Sequence, residues 1–393
     1  MSDAYIVSAV RTPVARAFKG AFRNYRPDDL LADALKSALA EVPSLDPARV
    51  EDVIVGCAMP EAEQGMNVAR IGALLAGLPD NVPGVTVNRF CSSGLQTIAM
   101  AADRIRLGEA DVMIAAGTET MTMVPMMGHK VAMNPKVFSD DNVAIAYGMG
   151  ITAEKVATKW GVSRQDQDEF AYRSHQKAVA AIDGGEFTEI RPVTVTHRMP
   201  DPRSGQIREV QQVVDTDEGP RRDTNPETLA KLRTVFDAKG SVTAATSSQM
   251  SDGAGAVIMV SERVLKELNL EPLAVFRGFS VAGVPAEVMG IGPIEAIPKV
   301  LKQTGVNKDD LDWIELNEAF AAQALAVMRT VELDPNKVNP LGGAIALGHP
   351  LGATGAILAA KLIHGMQRRQ QRYGMVTMCI GTGMGAAGIF ERV

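Results

Sequence analysis

Four turns rich in small residues carry the side chains of this sequence that could do chemistry. They are Cys91 in "NRFCSSG", Asn317 in "LNEAF", His349 in "LGHPLGATG" and Cys379 in "MCIGTGMG". A thiolate nucleophile needs a base within hydrogen-bond reach, and histidine is the usual one. A second cysteine can donate and accept a proton if its pKa is tuned near neutrality. Glycines beside that cysteine let backbone N–H groups come close to an oxyanion. Each residue taken alone also has an ordinary use. Asn317 could cap a helix, His349 could sit in a turn bonded to backbone, and either cysteine could be a small core residue. Their joint presence favours covalent catalysis by a cysteine.

The elements around them follow from periodicity. Val87 to Glu119 reads as a strand, a sharp turn carrying Cys91, a helix and a second strand. Leu95, Ile98, Ala99, Ala102 and Ile105 recur at helical spacing, and Gly108 stands where a C-terminal cap belongs. Ser92 and Ser93 are natural N-cap residues, so Cys91 is expected beside free N–H groups and the positive end of a helix dipole. That setting predicts a lowered thiol pKa. Asn317 and Cys379 each follow an apolar strand, where α/β folds place their sites.

Upstream, Ile6 to Val10 predicts a strand, and "DDLLADALKSALAEV" predicts an amphipathic helix opened by Asp28. "VEDVIVGCAM" is a buried strand in which Cys57 belongs to the core, and "NVARIGALLAGL" is a helix ended by Gly77 and Pro79. The alternation argues for an α/β fold with largely parallel pairing. From Met121 to about Gly240 the pattern is irregular: a Met-rich stretch, two polar-faced helices, then a charged run of turn formers, "RMPDPRSGQIREVQQVVDTDEGPRRDTNP". Loops this long in a compact fold are usually functional or disordered. "GSVTAATSSQMSDGAGAVIMVSE" predicts a strand, a turn and a second strand, after which alternation resumes and ends in the paired strands "YGMVTMCIG" and "MGAAGIFERV". The two ends of the chain thus look like similar halves, without a residue-level repeat.

Composition narrows the function classes. Forty basic against forty-six acidic residues give −6 with no basic run, which excludes nucleic acid as an expected partner. No long charge-free apolar stretch spans a bilayer, and "MSDAYIVSAVRTP" enters a strand with no basic region followed by an apolar one. Three scattered cysteines suit a reducing, cytoplasmic setting and give neither a disulfide framework nor a Cys-rich zinc site. His129 and His197 are expected in loops and His175 and His364 on helices, all structural or solvated; no metal site is indicated.

On "NRFCSSG", "VTAATSSQMSDGA", "LNEAFAAQ", "NPLGGAIALGHPLGATGA" and "MCIGTGMG", the sequence resembles the thiolases, acyl-CoA:acetyl-CoA acyltransferases, from "SAVRTP" to "GTGMGAAGIF". The resemblance implies a five-layered αβαβα core of two similar halves, residues 1–265 and 270–393, with residues near 121–245 as an inserted loop region. It implies that Cys91 is the acylated nucleophile and that His349 takes its proton and helps hold the thioester oxygen. Asn317 would position a water in that oxyanion site. Cys379 would be the acid and base toward the acetyl-CoA carbanion and incoming CoA, and the N–H groups of Cys91 and Gly381 would form a second oxyanion hole. Ser248 matches a serine that contacts pantetheine, Arg221 an arginine near the adenine, and Met149 a methionine at the acyl entrance. CoA is then a co-substrate, with no permanently bound cofactor. A homodimer or homotetramer is implied, and some relatives of this kind dock with a hydratase/dehydrogenase subunit.

Biosynthetic acetoacetyl-CoA thiolases typically carry a His where this chain has Gly148, and its "SSQMSDGA" looks more like the β-oxidation enzymes that cleave 3-ketoacyl-CoA. The degradative direction is expected, with condensation of two acetyl-CoA as the alternative. A non-catalytic acyl-CoA or lipid-binding relative would have lost a reactive residue, and a decarboxylating synthase generally has a second His where Cys379 stands. "GMGAAG" at Gly383 to Gly388 fits a dinucleotide fingerprint but lacks the following helix and strand. A redox pairing of Cys91 with Cys379 is open as regulation.

Overall fold

The chain alternates strands and helices as the apolar periodicity predicts. A computed structural model describes residues 3–201 and 203–393. Met1, Ser2 and Pro202, which fall in the N-terminal and charged stretches quoted above, lie outside the described residues. In order, the first part holds β1 (Ala4–Arg11), β2 (Ala15–Arg16), α1 (Pro27–Ala40), β3 (Asp52–Gly56), α2 (Val68–Leu75), β4 (Gly84–Val87), α3 (Ser93–Arg106) and β5 (Val112–Thr120). The middle holds α4 (Met149–Lys159), α5 (Arg164–Asp183), β6 (Val193–Pro200), β7 (Ile207–Val214) and α6 (Pro226–Ala230). Then come β8 (Ser251–Ser261), α7 (Glu262–Glu267), β9 (Ala274–Gly283), α8 (Gly292–Thr304), β10 (Leu311–Leu316) and α9 (Ala321–Val331). The chain closes with α10 (Ala344–Leu347), α11 (Thr354–Arg369), β11 (Tyr373–Ile380) and β12 (Met384–Arg392).

One long sheet runs β10-β11-β12-β9-β1-β8-β5-β3-β4. From β1 outward the pairings are antiparallel with β8, antiparallel to β5, then parallel to β3. From β9 outward they are antiparallel with β12, antiparallel to β11, then parallel to β10. The two halves repeat one plan and join through a short antiparallel contact, Tyr5↔Val275 and Ile6↔Ala274. The expectation of largely parallel pairing is therefore corrected. Parallel pairs occur where helical crossovers intervene, and the strands that return by other routes pair antiparallel.

Side-chain alternation builds the layers. On β5 and β8, Val112, Ile114, Ile258 and Val260 face α1, where Leu30, Leu31 and Leu35 complete an outer core. Met113, Ala115, Val257 and Met259 face the other way, onto Leu95 and Ile98 of α3 and Leu358 and Ile363 of α11. The same central layer receives Phe276, Val376 and Met378 from the second half, while Met375 and Ile389 turn outward to Ile297 of α8 and Val327 of α9. Helices α3 and α11 are thus enclosed between the halves, giving five layers. They meet almost backbone to backbone: a Cβ on Gly94 would lie 2.7 Å from Ala356 N, and one on Gly355 would strike Leu95 N. Only glycine permits that approach.

Several local expectations are corrected. Pro27 takes the first position of α1 with Arg26 at its cap, so Asp28 lies within the first turn, paired with Arg26 at 2.9 Å. Ser92 precedes α3 but makes no side-chain cap bond. Its neighbour Ser93 uses its hydroxyl on Phe90 O at 2.7 Å and Arg89 N at 2.8 Å. The charged stretch taken for loop forms the β6–β7 hairpin, with Val193 facing Val214 and His197 in the strand. "GSVTAATSSQ" is not a strand: a 3-10 turn at Ala244–Thr246 precedes the single strand β8. The middle segment is anchored at β1, where Arg11 bonds Asp217 at 2.7 and 2.9 Å and Glu189 at 2.9 Å, all three buried.

Candidate active site

Cys91 sits in a 3-10 turn, Phe90–Ser92, between β4 and α3, entered through Phe90 at φ +43°. It is half-buried and packs against Ala58, Met121 and Leu351. Leu351 is two residues beyond His349, so the loop from the second half closes directly on the cysteine turn. Burial pushes the Cys91 thiol up to about 12; the N–H groups of Gly381 and of Cys91 itself reach the sulfur and pull the other way, and the Glu119 charge adds to the rise. The predicted lowering is corrected. Helix N-terminal position helps a thiolate, but removal from water opposes it more strongly.

Cys379 is the penultimate residue of β11 and fully buried. Burial raises its thiol, with the nearby Cys91 adding to the effect. It too is a thiol at rest rather than a group tuned to neutrality. Around it cluster Ala319, Phe320, Met289 and Met149, the last being the first residue of α4. Beyond β11 the chain turns through Gly381, Thr382 (φ +66°) and Gly383 (φ +87°) into β12. The turn demands glycine at Gly383, where a Cβ would strike Val284 O. At Gly381 there is room, and what matters is its N–H at the Cys91 sulfur.

His349 is 4% exposed and pushed down to about 4 by burial alone, so its ring is neutral at pH 7. Its Nε2 lies 3.3 Å from Asn317 Nδ2 and its Nδ1 2.6 Å from Thr354 Oγ1. Its backbone N–H goes to Gln249 O and Ser251 Oγ, both at 3.2 Å. Asn317 extends the ladder past β10 by donating its N–H to Thr377 O at 2.9 Å, and Gln323 Nε2 holds its carbonyl at 3.2 Å. Its Oδ1 is buried without a partner among the described residues, an acceptor left for something else.

Of the proposed CoA contacts, Met149 joins the cysteine cluster, and a Cβ on Gly381 would lie 3.8 Å from its sulfur. Ser248 donates its N–H to Ala319 O at 2.9 Å, which docks the "ATSSQ" segment on the turn after Asn317. Arg221 is exposed, and its backbone N–H reaches His175 Nδ1 at 3.2 Å.

Two buried carboxylates fasten these turns, and sequence reasoning gave them no role. Glu119, at the end of β5, accepts from Ala58 N (2.8 Å), Met59 N (3.3 Å), Gln64 Nε2 (2.6 Å) and Gly352 N (2.8 Å). Glu318 accepts from Ser174 Oγ (2.6 Å), Asn339 Nδ2 (2.9 Å) and Ile345 N (3.2 Å). Burial raises both, and these donors draw them back. The available signal was a charged residue closing an apolar strand. A cavity of about 400 Å³ beside Glu318, lined by Phe170, Lys177, Leu325 and Met328, contains none of the residues around Cys91. Among the described residues no group of three or more His, Cys, Asp or Glu could hold a metal ion.

The model of the thiolase N-terminal domain matches residues 4–263, and that of the thiolase C-terminal domain matches residues 270–392. The chain is 52% identical over 394 residues to a Bacillus subtilis 3-ketoacyl-CoA thiolase, with 100% of both chains covered. It is 46% identical to the Arabidopsis thaliana peroxisomal 3-ketoacyl-CoA thiolase 5, covering 99% of this chain and 85% of that one. Among solved structures, human mitochondrial 3-ketoacyl-CoA thiolase superposes with a TM-score of 0.89 at 37% identity, covering 100% of this chain and 99% of that one. The acetyl-CoA acetyltransferase of Bacillus anthracis superposes at 0.90, again with 37% identity and 100% and 99% coverage.

Proposed function

The chain belongs to the thiolase family, and on that premise we propose how its residues divide the reaction. It is an acyltransferase that cleaves 3-ketoacyl-CoA with CoA to acetyl-CoA and a shortened acyl-CoA, the thiolytic step of β-oxidation. The observation that carries the role assignment is the convergence of Cys91, the Gly381 N–H and Cys379, closed over by the Leu351 turn that follows a neutral His349 hydrogen-bonded to Asn317.

Cys91 passes its proton to His349 Nε2 as its sulfur adds to the keto carbon of the substrate. The bond between the alpha and beta carbons breaks, leaving an acyl thioester on Cys91 and the enolate of acetyl-CoA. The enolate oxygen is held by His349 and by a water on Asn317, whose free Oδ1 suits that water. Cys379 gives its proton to the enolate carbon and then takes the thiol proton of incoming CoA. The CoA sulfur attacks the acyl group, and the N–H groups of Cys91 and Gly381 hold the oxyanion. Cys91 leaves and regains its proton from His349. Each oxyanion donor of this kind contributes on the order of 3 kcal/mol. Both cysteines start as thiols, so proton transfer accompanies bond formation instead of preceding it.

Ser248, Arg221 and Met149 are assigned to the CoA and acyl path; Met149 beside Cys379 supports its part. Gly148, just before Met149, is exposed, and a preference for chains longer than acetoacetyl is part of the proposal. The boundary between residues 265 and 270 is proposed to divide two domains. A homodimer or homotetramer is proposed as well: the edge strand β4 exposes Val85, and Met66, Leu74 and Leu75 are exposed nearby in sequence. Cytoplasmic placement and docking to a hydratase/dehydrogenase subunit are further expectations. No helix among the described residues is long and apolar enough to cross a membrane.

Intact-protein mass spectrometry after mixing with short and long 3-ketoacyl-CoAs, without free CoA, tests the assignment. An adduct two carbons shorter than the substrate acyl group should map to Cys91, vanish in Cys91→Ser and persist in Cys57→Ala. Labelling by acetoacetyl-CoA alone would establish the biosynthetic preference instead. An active Cys91→Ser enzyme would sink the mechanism.

A further inference from the structure

The histidine at the centre of this site has no carboxylate partner on its ring among the described residues. We propose that Thr354 is its positioning residue: Thr354 Oγ1 accepts the Nδ1 proton of His349 and leaves the ring's lone pair on Nε2.

The geometry closes from both sides of the ring. Nδ1 and Oγ1 are 2.6 Å apart, with His349 and Thr354 only 4% and 2% exposed, so water does not compete for either atom. Across the ring, Asn317 presents Nδ2 to Nε2 at 3.3 Å. With the amide placed so that Nδ2 faces the ring, it donates to Nε2, and the single ring proton belongs on Nδ1. The hydroxyl itself is fixed. Thr354 is the first residue of α11, its N–H bonds Pro350 O at 3.1 Å, and the helix is clamped against α3 at Gly355. His349 is five residues earlier and tethered by Gln249 O and Ser251 Oγ, so ring and hydroxyl cannot drift apart without moving the Pro350 turn.

A hydroxyl orients the ring as a carboxylate would, but adds no charge to stabilise an imidazolium. That suits a base that keeps the Cys91 proton while the acyl thioester stands and must give it back when Cys91 leaves. It also keeps positive charge from building up beside two thiols that are to remain neutral until substrate arrives.

This inference rests on His349 serving as the base for Cys91, and the experiment separates the two claims. The holoenzyme is labelled with ¹⁵N-histidine; the chain has five histidines, and His349→Ala identifies the signals of interest. Wild type should show Nδ1 protonated and Nε2 bare at pH 7. Thr354→Val, of similar size without the oxygen, should mix the tautomers and lower kcat roughly 10- to 100-fold with little change in KM, less than the roughly 10²- to 10⁴-fold that a general base supplies. Thr354→Ser should restore both. A wild-type ring protonated on Nε2 overturns the proposal, as does a Thr354→Val enzyme with unchanged tautomer and kcat. If the valine variant misfolds, the wild-type spectrum alone decides. Iodoacetamide labelling of Cys91 that is unaffected by His349→Ala would sink the base assignment while leaving the tautomer result standing.

Discussion

Cys91 has two N–H groups at its sulfur and a helix start behind it, yet burial and the Glu119 charge hold its proton in place. The thiolate is therefore a minor form across the working range, and its fraction grows as pH rises toward about 12. In the free enzyme, alkylation of Cys91 by iodoacetamide, followed by peptide mass mapping, should rise about tenfold per unit from about pH 7 to 10. A rate already flat above neutrality would mean a preformed thiolate and would overturn this account. The identities of the reactive residues were legible in the sequence because small-residue turns after apolar strands are distinctive. Their charge states were not, because the burial that raises the Cys91 thiol and the Gly381 N–H that opposes it are both set by segments arriving from the other half of the chain, Leu351 among them. Thr354 was likewise silent: a threonine five residues past a histidine means nothing until a turn and a helix start bring them together.

At the scale of elements, the site is a set of strand ends tied by side-chain carboxylates. Glu119 closes β5 and accepts four N–H bonds from two separate turns and from Gln64. Glu119→Gln replaces one acceptor oxygen by an NH₂ that faces donors, which should cost about 1–3 kcal/mol of stability. Turnover should fall with it, since Gly352 loses its tie to Ala58. Calorimetry together with steady-state rates checks this, and an unchanged melting temperature would refute it. Helices with apolar stripes, such as α1 and α3, were legible from spacing. The β6–β7 hairpin was not: its alternation at Val193 and Val195 is short, most of β7 is exposed, and the connecting residues have the composition of a loop. Antiparallel pairing of β1 with β8 was also hidden, because partners about 250 residues apart leave no local mark.

For the whole molecule, the two halves are joined less by the short β1–β9 contact than by α3 and α11, whose starts carry Cys91 and follow His349. Their glycine crossing sets how closely the nucleophile and the base can approach. Gly355→Ala would push against Leu95 N and must force the helices apart. A loss of about 1–3 kcal/mol is expected, as for overpacking elsewhere, with a fall in kcat larger than that from Arg369→Ala at the exposed C-terminal end of α11. Denaturant melts and turnover measure the two effects, and a variant as stable and active as wild type would show the crossing to be slack.

The place of β8 in the sheet also sets a timetable for synthesis. β8 lies between β1 and β5, yet it begins at Ser251, long after both neighbours have been made. At 5–20 residues per second, β1 waits roughly ten to fifty seconds on the ribosome for the strand that will cover it. During that interval the apolar faces of α1, β1 and β5 have no finished sheet to close on. The nascent first half is therefore the stretch of this chain that would engage a holding chaperone, and its release should coincide with the emergence of Ser261 from the exit tunnel.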